Sequence, residues 1–289
     1  MKLAVTGANG LFGRHLCALL EAKGIAHRPL TRADWDLRDW AAPERLDALT
    51  AGADTLVHAA ARLPSEPSAR ELFDTNVRAT LNLADWARQR GIHMIHLSSG
   101  SVYADPYADA ITEDAPMGPG PLGGVYAQSK RLAEMALADC RSMGLKLTVL
   151  RPSSVYGAGL NAEQLVARLL AEAESGGPVT VTGGASRINF LHIHDLARAA
   201  IMAAERGATG LFNIAGDAPT RLVDLAQAIA DLVGVTAEDA PPKAGAPPFT
   251  LFDLDTRAAR DRLGFAPSIP LATGLAMMRA GALLPADQT

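Results

Sequence analysis

A parallel sheet covered by helices on both faces is the fold that this sequence predicts, and three features predict it. Short apolar runs alternate with helical patterns through the first 150 residues. A glycine array joins the first apolar run to the first helical pattern, and the helices are long enough for right-handed crossovers between parallel strands.

In chain order, strands are expected at 3–5, around 28–30, at Thr55–His58, at His93–Leu97 and at 147–150, with helices at Leu11–Ala22, 43–49, 69–90 and 125–143. The segment 104–124 is rich in Pro, Gly and Asp and longer than a simple connection, and loops of that length in compact domains are functional or disordered. Beyond residue 155 the texture changes. A helix at 163–174 precedes a strand-like VTVTGG, the run NFLHIHDLARAAIMAAE, a strand at 211–214 and a helix at Leu222–Val233. Residues 237–248 read as a Pro- and Ala-rich loop, and the last helical stretch ends near Leu284. We expect a doubly wound, Rossmann-like domain over 1–155 and a small discontinuous C-terminal substrate lobe over 156–289, with segments near 188–215 returning to the first domain.

Bulk properties narrow the function. A chain of 289 residues can bury a sizeable core, and 48% hydrophobic with 20% charged residues describes a globular protein. The net charge of −4 gives no basic footprint for nucleic acid. No apolar run approaches the roughly 18 residues of a membrane span, and no secretory layout opens the chain, so a cytoplasmic protein is expected. Cys17 and Cys140 form no metal or redox spacing and are expected to be buried free thiols.

The chemistry begins at MKLAVTGANGLFGRHL, where Gly7, Gly10 and Gly13 stand in a G-x-x-G-x-x-G array. Gly7 permits the turn off the strand, Gly10 lets a ligand approach the backbone, and Gly13 lets the helix pack on the sheet. The helix N-terminus then offers unpaired N–H groups to a pyrophosphate. Further on, the strand His93–Leu97 runs into SSGSVY, which puts serine hydroxyls at the carboxyl end of a parallel strand, where open sheets bind ligands. Tyr126 and Lys130, at i and i+4 in YAQSK, share one helix face. A lysine ammonium beside a tyrosine stabilises the phenolate, which is expected to lower the phenol pKa and make Tyr126 a usable acid or base. His192 and His194 lack a third ligand and are expected in buried or capping roles, with no metal. Trp35 and Trp40 are expected to pack rather than stack on a ligand.

Together these segments resemble the extended short-chain dehydrogenase/reductase, or NAD-dependent epimerase/dehydratase, family almost end to end. TGANGLFG is similar to the family's glycine fingerprint and LVHAAA to its third strand end. FDTNVRATLNL is similar to its N-V-x-G-T helix, with Ala79 in place of Gly. LSSGSVYAD, VYAQSK, LRPSSVYGAG, RINFLHIHDLARA, LFNIAGDAPT and DTRAARDRLGFAP follow in order. The resemblance implies hydride transfer with a nicotinamide cofactor, with Ser99, Tyr126 and Lys130 catalytic. It implies cofactor contacts at Gly7, Asn9, Gly10, Leu11, Phe12, Gly13 and Arg14, at Arg32, Asp36 and Leu37, and at Ala59, Ala60, Ala61 and Asn76. Ser98, Tyr126, Lys130, Pro152, Ser153 and Val155 complete that set. Ser99, Ser101, Ser154 and Arg187 are implied for the substrate, and a homodimer is implied through helices 69–90 and 125–143.

NADP is preferred over NAD, because the second strand ends in Thr31-Arg32 with no acid for the ribose hydroxyls, and Arg14 offers a second cation; the competing role for Arg32 is a solvated surface charge. The compact TRADWDLRDW resembles the crossover of nucleotide-sugar reductases. The family's dehydratases carry acids where Gly100 and Ser101 stand here, which argues against dehydration. Ser154 replaces a frequent Asn, Asn189 stands where Asp is usual, and Lys243 is the basic residue of the late loop. The expected function is an NADPH-dependent reductase of a keto-sugar nucleotide. The alternatives are an NAD-dependent nucleotide-sugar epimerase, a reductase of a smaller carbonyl substrate, and a non-catalytic cofactor-sensing protein.

Overall fold

In the computed structural model, which describes residues 1–63, 68–242 and 247–288, a six-stranded parallel sheet forms the centre. Its strands are β1 (Leu3–Thr6), β2 (His27–Leu30), β3 (Thr55–His58), β4 (His93–Leu97), β5 (Leu147–Pro152) and, from far along the chain, β10 (Gly210–Ile214). The spatial order is β10-β5-β4-β3-β1-β2, so the chain reverses direction between β1 and β3. In register, Val5 faces Pro29 on one side and Val57 on the other.

Every crossover is helical. α1 (Leu11–Ala22), α2 (Pro43–Thr50), α3 (Ala69–Phe73), α4 (Ala79–Arg90) and α5 (Gly124–Ser142) link the first five strands. The pleat alternates apolar side chains between two cores. Leu3 and Val5 point into a core shared with Leu16 and Leu20 of α1 and with α7 (Ile193–Arg206), whereas Ala4 joins Leu56, Met94, Leu83, Trp86 and Leu137 on the opposite face.

The remaining elements are β6 (Ser154–Tyr156), α6 (Leu165–Glu174), β7 (Val179–Thr182), β8 (Arg187–Ile188), β9 (Phe190–His192), β11 (Thr220–Arg221), α8 (Leu222–Val233), β12 (Ala237–Ala240), β13 (Thr250–Leu251), α9 (Arg257–Leu263) and α10 (Leu271–Arg279). Val166, Leu169, Val179, Leu225, Ile229 and Leu275 build a separate apolar cluster among α6, β7, α8 and α10. β10 and α7 instead belong to the central sheet and its first core.

Four sequence expectations change. The helix at 69–90 is broken in character by a π turn at Asp74–Arg78, which carries Asn76. The expected loop at 237–248 begins as β12, a short strand pairing parallel with β7; Lys243 lies outside the described residues. Trp40 is 64% exposed, so it does not pack, whereas Trp35 is buried and donates its indole N–H to the Asp39 carbonyl. Cys140 is buried but Cys17 only half-buried. Among the described residues no helix is long and apolar enough to cross a membrane.

Candidate active site

The glycine turn after β1 is built as its spacing predicts. Gly7 has φ +72°, a left-handed conformation that favours glycine, and a Cβ there would lie 2.7 Å from the backbone of Ala60 at the end of β3. At Gly13 a Cβ would stand 2.1 Å from the Gly7 carbonyl oxygen. No side chain caps α1, so its first N–H groups face the turn without an internal acceptor. A cleft runs from here past Asn9, Gly10, Arg32, Asp36, Leu37 and Ala59–Ala61. The uncapped helix start and the glycine cradle fit the pyrophosphate of a dinucleotide, and the cleft beyond β2 fits its adenosine end.

Within that set, residues separate by role. Phe12 is buried in the first core, so only its backbone faces the turn. Arg32 is exposed in the cleft and has no ion-pair partner among the described residues. Asp36 is held by Arg38 through a guanidinium contact of 2.7 Å, and these hydrogen bonds draw its carboxyl down to about 2. Arg14 does not join Arg32. Its guanidinium is packed against Gly159, where an added Cβ would lie 2.1 Å from Nη2, because the long side chain leaves α1 towards the loop after β6.

The serine segment lies at the carboxyl end of β4. Ser99 Oγ is 2.8 Å from Ser101 Oγ and accepts from the Ser101 N–H at 3.1 Å, which fixes both hydroxyls in one short turn. A Cβ at Gly123 would reach the Ser101 Cβ at 3.4 Å, so the serine turn abuts the start of α5 and hence Tyr126. Lys130, one turn further on, is buried and donates Nζ–H to the Leu97 carbonyl at 2.7 Å. Helix α5 and strand β4 are thereby pinned together at the site.

The expected lowering of the tyrosine pKa is not found. Burial pushes the Tyr126 phenol up to about 12, and its hydroxyl has no hydrogen-bond partner among the described residues. Lys130 is committed to Leu97 instead, and burial brings it down to about 8 against the opposing pull of Glu134. The phenol therefore stands protonated at neutral pH, ready to donate.

Beneath the site, His58 Nε2 lies 2.9 Å from Thr80 Oγ1 and Nδ1 2.8 Å from Thr6 Oγ1. Thr80 already donates to the Asn76 carbonyl, so it accepts from Nε2–H, and Nδ1 accepts from Thr6. Burial first, and Lys130 second, bring His58 down to about 3, so it is neutral.

Three of the residues expected at the cofactor also join parts of the scaffold through their side chains. The Ser98 hydroxyl donates to Glu134 in a buried layer, whereas the neighbouring Ser99 hydroxyl turns to Ser101. The Ser153 hydroxyl donates to Asn189 Oδ1 at 3.0 Å. Asn76 accepts from the Arg62 N–H at 2.7 Å and donates to Ser129 Oγ at 2.9 Å, and Ser129 in turn donates to the Tyr126 carbonyl. This clamp ties the cleft wall after β3 to helix α5.

Pro152 stands at the end of β5 with its carbonyl against Gly100, Val155 packs on the first core, and Ser154 is half-buried on β6. Arg187 is exposed on β8 with its guanidinium 3.5 Å from the Pro219 carbonyl, and it does not line the dinucleotide cleft. His192 caps α7 by accepting from the His194 N–H, as expected of it. Asn189 is explained where Asp is usual: its amide donates to the Gly216 carbonyl while its oxygen accepts the Gly216 N–H, and a carboxylate lacks the donor.

Sequence reasoning missed Glu134 and Arg151, which form a buried ion pair behind Ser98. The available signals were a glutamate at i+4 from Lys130 and a lone charge inside the apolar LTVLRP.

The comparisons with known proteins agree with this geometry. Residues 3–215 match the model of the NAD dependent epimerase/dehydratase family. UDP-glucuronic acid decarboxylase 6 of Arabidopsis thaliana is 26% identical, with 96% of this chain and 88% of that protein covered. The dTDP-4-dehydro-6-deoxy-D-allose reductase of Streptomyces bikiniensis is 29% identical, covering 80% of each. Among solved structures, MoeE5 in complex with UDP-glucose and NAD superposes with a TM-score of 0.79 at 26% identity, over 97% of this chain and 98% of that one. With its glycine turn and dinucleotide cleft, its serine after β4 and its tyrosine and lysine on α5, the chain belongs to the NAD-dependent epimerase/dehydratase family, enzymes of the extended short-chain dehydrogenase type.

Proposed function

We propose that this enzyme is an NADPH-dependent reductase that acts on a keto-sugar nucleotide in the cytoplasm. The observation that carries the reading is Arg32, a cation in the adenosine end of the cleft that forms no salt bridge among the described residues, with no acid directly at the end of β2 to grip ribose hydroxyls. An arginine there suits the additional phosphate of NADP. NADP use favours an exchanging cofactor and net reduction over epimerisation on a retained NAD.

Bound in the cleft, the cofactor supplies the hydride. The Ser99 hydroxyl orients the substrate carbonyl, and the Tyr126 phenol delivers the proton to its oxygen. Dehydration has no acid to use. Gly100 and Ser101 occupy the positions in question, and a side chain at Gly100 would begin 3.0 Å from the Pro152 carbonyl and 3.1 Å from the Phe252 ring. The nucleotide-sugar class is supported by the reductase relative, which is named for a dTDP-sugar. We assign recognition of the substrate to the lobe beyond residue 156, where Arg187 would take its diphosphate, together with Ser101 and Ser154 near its sugar.

Consumption of one NADPH per alcohol formed from a keto-sugar nucleotide tests the reaction, and turnover without added NADPH would identify an epimerase. Arg32→Asp is expected to reduce the preference for NADPH over NADH by about tenfold to a hundredfold, the value of one charge-assisted hydrogen bond. An unchanged preference would leave NAD as the natural cofactor.

The surface of α3 and α5 exposes Phe73 (49%), Leu132 and Met135 (54%), an apolar strip that a second copy would cover. We therefore propose a homodimer, and expect Met135→Glu to halve the mass measured by light scattering. A monomeric wild-type protein would rule the dimer out.

A further inference from the structure

We propose that Glu134 and Arg151 act as a positioning unit, holding the three catalytic segments in register. The proposal rests on the reductase reading above for the roles of Ser99, Tyr126 and Lys130. Both side chains are 2% exposed, and the ion pair is 2.6 Å long. What distinguishes it from an ordinary buried pair is what each partner holds. Glu134 also accepts from the Ser98 hydroxyl, directly before Ser99 on β4. It lies one turn beyond Lys130 on α5, so the carboxylate links the serine strand to the catalytic helix.

Arg151, on β5, reaches the third segment. Its Nη1 donates to the Glu113 carbonyl at 2.8 Å and to the Tyr103 hydroxyl at 3.0 Å, and its Nη2 contacts Met117 Sδ. Tyr103 passes the contact on, donating to Asn213 Oδ1 at 2.6 Å. These partners lie in or beside the 104–124 loop, which leaves the serine turn and returns to Tyr126. That loop is bridged back to the serine segment at Tyr103 and Met117, and Gly118 N–H donates to the Val102 carbonyl. One guanidinium therefore fixes where the loop delivers the start of α5.

A buried ion pair is weak evidence for stability, since apolar replacements of similar volume are frequently neutral or stabilising. That property separates positioning from packing. The double variant Glu134→Leu with Arg151→Met is expected to melt near the wild-type temperature and to bind NADPH normally. Its kcat should nevertheless fall by about a hundredfold, as for a small displacement of catalytic groups. Hydrogen exchange in 104–124 should rise, a readout that holds whatever the substrate proves to be.

The pH profile supplies a second test. Lys130 faces Glu134 from its own helix, His58 from β3 and His96 from β4; both histidines are neutral through burial, which leaves the Glu134 carboxylate as the group opposing loss of the lysine charge. Without it, the alkaline limb of kcat moves to lower pH. If wild-type protein fails to reduce any keto-sugar nucleotide, the reductase reading falls, and loop exchange alone then decides this proposal. A double variant with wild-type kcat, or with unchanged loop exchange, overturns it. The single variant Glu134→Gln is expected to unfold more easily, because Arg151 is left uncompensated. Its rescue in stability but not in kcat by the added Arg151→Met supports positioning.

Discussion

Tyr126→Phe is expected to lower kcat by about a hundredfold to ten-thousandfold, the usual range for a positioned general acid, while NADPH binding stays close to wild type. Phenylalanine preserves the ring and its packing at the start of α5 and removes only the hydroxyl. That hydroxyl is the group with no internal partner among the described residues, and burial holds it protonated up to about pH 12. In the direction of carbonyl reduction the enzyme needs a proton donor, so the raised phenol is in its competent form at every physiological pH. The pH dependence follows from the same facts. Tyrosine titration lies too high to shape the profile near neutrality. Lys130, lowered to about 8, supplies the alkaline limb: its ammonium is present below that value and is lost as pH rises through it. Activity should therefore be level at neutral pH and decline above about 8. A Tyr126→Phe enzyme with full kcat would remove the proposed acid, and a profile level to pH 10 would remove the requirement for charged Lys130.

The fold was legible because it rests on periodicity and local spacing. Thr55–His58, His93–Leu97 and Leu222–Val233 are continuous or alternating apolar patterns, and the structure reproduces those bounds. The strand Ala237–Ala240 was not legible, since AEDA is an edge strand of small and acidic residues whose pairing with Val179–Thr182 is a tertiary effect. Nor was the π turn at Asp74–Arg78, a local widening of the helix set by its hydrogen bonding, which no residue type in DTNVR announces.

Partner choice was the least legible. Ser98 and Ser99 are the same residue type side by side, yet one hydroxyl turns to Glu134 and the other to Ser101. The i, i+4 spacing correctly put Tyr126 and Lys130 on one helix face. It could not show that the ammonium would find the Leu97 carbonyl, because that acceptor belongs to a strand 33 residues away. The reach of Arg14 was hidden for a related reason: sequence places the Cα, and the guanidinium travels several bonds further, in this case to Gly159.

Gly13→Ala is the substitution expected to abolish cofactor binding. The added Cβ would lie 2.1 Å from the Gly7 carbonyl oxygen, 2.6 Å from the Ala8 Cα and 2.8 Å from the Gly7 carbonyl carbon. All three are backbone atoms of the turn itself, so no flexible side chain can yield. The turn must open or α1 must move off the sheet, at a cost of about 1–3 kcal/mol in stability, typical of overpacking. Either movement spoils the N–H groups that would cradle the pyrophosphate, and NADPH affinity should fall beyond measurement. Gly10→Ala provides the contrast. Its Cβ would meet only the Gly7 carbonyl, at 3.1 Å, a contact that a few tenths of an ångström relieves. That variant should therefore melt close to wild type, yet lose NADPH affinity, because at this position the methyl group occupies the face along which a ligand approaches the backbone. The pair thus separates two demands on glycine that the motif alone merges: at residue 13 the fold requires it, and at residue 10 the ligand does. Normal NADPH binding by Gly10→Ala would place the pyrophosphate elsewhere, and normal stability with normal binding in Gly13→Ala would mean that the turn after β1 is not the rigid cradle described above.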